Sequence, residues 1–126
     1  MTSELDQEVI IARSDVPTAH RPDRIWRLNV GGGLEVAVSE WGNESAQPLL
    51  MAHGGFDFSG TFDVFAPLLA EAGLRVISWD HRGHGDSDLA CLYSFDADIR
   101  DAALVLDSIN SNDSIPVLGH SKGGGI

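Results

Sequence analysis

Lysine is almost absent from this chain. Lys122 is the only copy, and eight basic residues face 19 acidic ones, for a formal net charge of -11. Nucleic acid and anionic membrane are themselves negative, so this balance disfavours both as partners. Cysteine is equally scarce. Cys91 stands alone, which excludes a disulfide within the chain and a cysteine-built metal site. No apolar run approaches the length that spans a bilayer. The first residues, MTSELDQEVI, lack the basic-then-apolar order of a signal peptide. The expectation is a soluble, cytoplasmic protein.

What is present fits one globular domain. Hydrophobic residues make up 43% of the 126 and charged residues 21%. Residues 1–24 have no clean period and carry two prolines, and read as an N-terminal extension. From residue 25 the pattern is ordered. RIWRLNV and LEVAVSEW flank the GGG of 31–33 and predict a hairpin. PLLMAH (48–53), LRVISWD (74–80) and IPVLGH (115–120) are short apolar runs, each predicting a buried strand. Between them, Phe62, Phe65, Leu68 and Leu69 recur at helical spacing, with Pro67 kinking the helix or marking its first turn and Gly73 ending it. Ile99, Ala102, Ala103, Leu106 and Ile109 predict one face of a second helix. Asp96, Asp98 and Asp101 favour the N-terminal end of that helix through its dipole. Residues 110–114 read as a turn, and a further helix is expected to begin at Ser121 or Lys122. Strands alternating with helices imply an α/β fold: a mostly parallel sheet of about five strands with flanking helices, in one domain over residues 25–126.

The chemistry concentrates in three loops that follow strands. Gly119-His120-Ser121-Lys122-Gly123 matches G-x-S-x-G. A sharp strand-to-helix turn raises the serine hydroxyl above the sheet, and side chains two residues before and after it would clash. The helix that follows aims its N–H groups at the site and favours developing negative charge there. The alternative is a plain glycine-rich turn. A nucleophilic serine also requires two oxyanion donors. One is expected from the Lys122 N–H. The other is expected from HGGF at 53–56, with Gly55 the first choice and Phe56 the second. The alternative for these glycines is a turn at the rim of the sheet. Phe56 and Phe58 either line an acyl pocket or cover the sheet edge. Trp26, Trp41 and Trp79 read as packing residues, and Cys91 as a small buried or half-buried one.

HGGF, WDHRGHGDSD (79–88) and GHSKGG (119–124), in this order and at these separations, resemble the N-terminal part of the alpha/beta-hydrolase superfamily over roughly residues 25–126. The resemblance implies a truncated alpha/beta-hydrolase fold and a serine esterase-like or lipase-like activity on ester, thioester or related acyl bonds, through an acyl-enzyme. Serine at 121 sets the chain apart from the dehalogenase and epoxide hydrolase branches, whose members carry aspartate there. The resemblance also implies that the triad's acid and histidine lie after the serine, where this chain offers none. Among its histidines, His53 is expected to support the oxyanion loop, His81 and His84 to fix their own loop or face solvent, and His120 to point away from Ser121. Asp80, Arg82, Asp86 and Asp88 are expected to tie down the 80–88 loop. The 126 residues alone are therefore expected to be marginally folded and without turnover. An exposed edge at the fifth strand opens the way to self-association. The alternative function is a non-catalytic fragment or split half. No dinucleotide fingerprint or metal-ligand spacing is present, so no cofactor is expected. The expected partner is a small acyl or ester substrate.

Overall fold

The computed structural model describes residues 18–109 and 114–126. Most of the expected extension (1–17) and of the expected turn (110–113) lies outside the described residues. Five strands form one sheet: β1 (Arg24–Asn29), β2 (Glu35–Trp41), β3 (Gln47–Ala52), β4 (Leu74–Trp79) and β5 (Val117–Gly119). Two helices are associated with it, α1 (Phe65–Glu71) and α2 (Phe95–Ile109), together with 3₁₀ turns at Ser59–Phe62 and Ser121–Gly125.

The sheet order is β1-β2-β4-β3-β5. β2 pairs antiparallel with both β1 and β4, while β3 pairs parallel with both β4 and β5. The sheet is thus mixed, and its parallel part is confined to the three strands joined by helical crossovers. The hairpin turn between β1 and β2 needs Gly31, Gly32 and Gly33, which all take positive φ (117°, 61° and 82°).

Side chains alternate across the sheet and build a core on each face. On one face Leu50, Ala52, Ile77 and Trp79 pack with Val36 and Val38 against Ala102, Val105 and Ile109 of α2. On the other, Met51, Val76 and Trp41 pack against Phe62 and Ala66, beside α1. Pro67 falls in the first turn of α1, where its missing N–H costs no helix bond. Phe65 and Leu68 are largely exposed.

Two expectations are corrected here. The third apolar run was expected to be a buried strand, but Val117 and Leu118 of β5 are exposed because β5 is the edge strand of the sheet. The buried stripe of α2 also differs from the hydrophobic one. Ile99 and Ala103 face outward, while Asp98, Asp101, Ala102, Val105 and Ile109 are buried. A count of apolar residues misses this register because two of its positions are carboxylates, both paired with cations. Among the described residues, no helix is long and apolar enough to cross a membrane.

Candidate active site

β5 delivers Ser121 to the end of the parallel part of the sheet. Gly119 sits opposite Ala52 of β3, and the His120 N–H donates to the Ala52 carbonyl (3.0 Å). The chain then turns sharply. Ser121 takes φ 55°, in the left-handed region, and the Gly123 N–H donates back to the His120 carbonyl (3.0 Å). The left-handed conformation costs a non-glycine residue about 1–2 kcal/mol, so the surroundings must hold it. The glycines show how. A Cβ on Gly119 would lie 2.5 Å from the Gly124 nitrogen, and one on Gly123 would run into the Ala52 carbonyl oxygen. Only a glycine at each position lets the turn close this tightly. Ser121 itself is exposed.

The loop after β3 passes directly beside this turn. A Cβ placed on Gly54 would stand 3.3 Å from the Ser121 Cβ, and one on Gly55 would stand 3.6 Å from Cδ of Lys122. The structure thus brings Gly55, Phe56 and Lys122 together with the serine turn. Among the described residues, neither the Gly55 N–H nor the Lys122 N–H has a hydrogen-bond acceptor. The Phe56 N–H differs, since it donates to Nε2 of His84 (3.1 Å). Among the described residues, Phe56 is the other non-glycine residue with positive φ (58°), and its ring is fully exposed. Gly55, Phe56, Phe58, His84, Tyr93 and Lys122 line an open cleft of about 650 Å³.

Three histidines underlie the loop. His53 is fully buried. The His81 N–H donates to its Nε2 (2.9 Å), which leaves the ring proton on Nδ1, beside the Gly54 carbonyl (2.6 Å). His81 in turn uses Nε2–H to reach the His53 carbonyl (2.9 Å). Burial, and then the neighbouring His81, pull the pKa of His53 down to about 4, so the ring is neutral near pH 7. Burial lowers that of His81 as well. His84 accepts the Phe56 N–H at Nε2 and donates Nδ1–H to the Arg82 carbonyl (2.9 Å). Among the described residues, none of the chain's five histidines is hydrogen-bonded to the Ser121 hydroxyl.

The 80–88 loop is pinned by its own polar residues. The Asp80 carboxylate accepts the Ser59 N–H (2.6 Å) and the Asp86 N–H (2.9 Å). Asp88 accepts the Glu35 N–H (2.8 Å) and pairs with Arg27 (2.9 Å). Arg82 forms a bidentate pair with buried Asp101, at 2.7 and 2.8 Å, and donates to the Leu92 carbonyl (3.0 Å). Asp86 contributes its backbone rather than its carboxylate. Cys91 is exposed and not buried, because it lies on the irregular segment leading into α2.

Sequence reasoning missed the two carboxylates of α2 and the side chain of Lys122. Lys122 Nζ lies 2.8 Å from the buried Asp98 carboxylate and 5.6 Å from the centre of the Phe95 ring. Asp98 and Asp101, three residues apart on one helix face, meet cations from two different loops. That spacing beside a lone lysine and a loop arginine was the available signal.

Helices against both faces of the sheet and a left-handed serine at the sharp turn after β5 are the arrangement of the alpha/beta-hydrolase fold. The comparisons with known proteins agree. The family model described as "Serine aminopeptidase, S33" matches residues 43–126, and the chain belongs to this family of the alpha/beta-hydrolase superfamily. A serine hydrolase-like protein of Dictyostelium discoideum is 38% identical over 103 residues, covering 79% of this chain and 28% of that protein. A monoacylglycerol lipase of Mycolicibacterium smegmatis is 36% identical over 104 residues, covering 75% and 36%. Among solved structures, an esterase from Exiguobacterium antarcticum superposes with a TM-score of 0.72 at 30% identity, over 79% of this chain and 36% of that one. The chain spans about a third of the length of the curated relatives it matches.

Proposed function

We propose that Ser121 is the nucleophile of a hydrolase acting on ester, thioester or related acyl bonds. The observation that carries this is the exposed serine held at φ 55° with the Gly54 loop packed beside it. Its hydroxyl oxygen attacks the substrate carbonyl carbon and gives its proton to a base. The Gly55 and Lys122 N–H groups, both without acceptors among the described residues, receive the oxyanion. The carbonyl re-forms, the alcohol or thiol leaves with that proton, and water then releases the acid from the acyl-enzyme. The exposed rings of Phe56, Phe58 and Tyr93 along the cleft suit an apolar acyl or alcohol chain. The names of the lipase and esterase relatives support the same bond class.

Turnover requires a base, and no histidine of these 126 residues bonds the Ser121 hydroxyl. The chain spans about a third of its curated relatives, and the proposal places the base and its supporting acid in the part of the domain that these residues do not cover. The same observation favours a second reading, in which the 126 residues alone are a non-catalytic fragment or split half. Hydrolysis of p-nitrophenyl butyrate, by the protein at its natural length and by the 126-residue chain, separates the two. At natural length, Ser121→Ala is expected to lower kcat by at least ~10³-fold. The 126-residue chain alone is expected to show none of this turnover. Undiminished hydrolysis by Ser121→Ala would remove the first reading, and serine-dependent turnover by the short chain would remove the second.

A further inference from the structure

We propose that the Lys122 side chain and Asp98 form a positioning clamp that fixes the two oxyanion donors relative to each other. The inference rests on the reading of Ser121 as nucleophile and assigns a role which that reading leaves open. Lys122 contributes its backbone N–H immediately after the serine. Its side chain passes the oxyanion loop, where a Cβ on Gly55 would lie 3.6 Å from Cδ. It ends 2.8 Å from Asp98 on α2. One residue thus belongs to the serine turn, runs alongside the loop after β3 and pairs with the helix that covers the sheet.

The end of the clamp is firmly seated. The Asp98 side chain is only 5% exposed, and among the described residues its carboxylate has no other side-chain partner. A buried carboxylate without its cation is strongly disfavoured, so the Lys122 ammonium is held in place. The Phe95 ring, 5.6 Å away, adds a cation–π contact. The neighbouring pair has a different task. Arg82 and Asp101 tie the 80–88 loop to the same helix through two hydrogen bonds. Asp98 and Asp101 therefore anchor separate loops, and only the Asp98 anchor reaches the serine turn.

Displacement of catalytic groups by about 1 Å can cost up to ~100-fold in rate. The test uses p-nitrophenyl butyrate hydrolysis by the protein at its natural length. Lys122→Met keeps the stem and the backbone N–H but strands the Asp98 charge. A paired variant, Lys122→Met with Asp98→Leu, removes both charges and preserves apolar packing. The paired variant is expected to keep its Tm near the parent value while kcat falls about 10- to 100-fold and KM changes little. Lys122→Arg, which keeps the ion pair, is expected to recover most of the lost kcat. A stably folded paired variant with parental kcat would overturn the clamp, as would equal loss in the Arg and paired variants. Ser121→Ala in the same protein keeps the two proposals apart. If it abolishes turnover while the paired variant keeps the parental kcat, the clamp fails and the nucleophile stands. If it leaves turnover intact, the reading of Ser121 fails.

Discussion

Ser121 and Phe56 are the two non-glycine residues with positive φ among those described, at 55° and 58°, and they sit on adjoining loops. They are held by different means. The Ser121 bend is enforced by backbone meeting backbone: Gly123 lies flush against the Ala52 carbonyl and Gly119 against Gly124. The Phe56 bend is accompanied by a hydrogen bond from its N–H to His84, a residue from another loop. Close packing has no alternative arrangement nearby, whereas a single hydrogen bond can open and close at modest cost. The contrast is between a bend set by backbone packing and one that leans on a single tertiary hydrogen bond.

Breaking the first bend should have the larger effect. Gly123→Ala drives a methyl into the Ala52 and His53 carbonyls, which are backbone and not a flexible side chain that could yield. A loss of stability of about 3 kcal/mol or more is expected, read as a fall in urea midpoint. At natural length, ester hydrolysis should fall along with it. A tolerated Gly123→Ala would mean that packing does not enforce the serine bend.

Breaking the second bend should be milder. His84→Ala removes the acceptor of the Phe56 N–H and should lower kcat at natural length about 10-fold, with stability changed by about 1 kcal/mol. His84→Gln can present an oxygen near the position of Nε2 and should retain most of the rate. Equal behaviour of the two variants would show that the hydrogen bond does not set the loop.

Acid offers the gentlest perturbation. His53 is held neutral in the fold with a pKa near 4, against a usual value of 6.5. Between those values the unfolded chain binds more protons than the folded one, so this contribution to stability is complete above about pH 6.5 and declines as pH falls toward 4. His81, also shifted downward by burial, acts in the same direction. Tm measured from pH 7.5 to 4.5 should fall across this window, and His53→Gln should flatten the dependence. A Tm that rises toward pH 5 would contradict the neutral, buried assignment.

The same contrast explains what the sequence made legible. The serine bend could be read because its device is compositional: glycines at 119 and 123 around Ser121, after an apolar run. The parallel part of the sheet could be anticipated from the alternation of strands and helices. The Phe56 bend could not, because its support comes from His84, 28 residues away, and tertiary hydrogen bonds leave no local pattern. The ion pairs of Asp98 and Asp101 were not legible, for a related reason. As aspartates near a helix start they suggested dipole stabilisation, yet their partners Lys122 and Arg82 belong to loops brought near only by the fold. β5 was read as buried from its apolar side chains, and its place at the sheet edge decides otherwise.

A tagged fluorophosphonate reacts with a serine only where its oxygen is activated and its approach is open. Peptide mapping of the natural-length protein after such labelling addresses the nucleophile directly. Stoichiometric phosphonylation at Ser121, lost in Ser121→Ala, is the expected result. Modification at a different serine, or none in a folded protein that still hydrolyses esters, would contradict it.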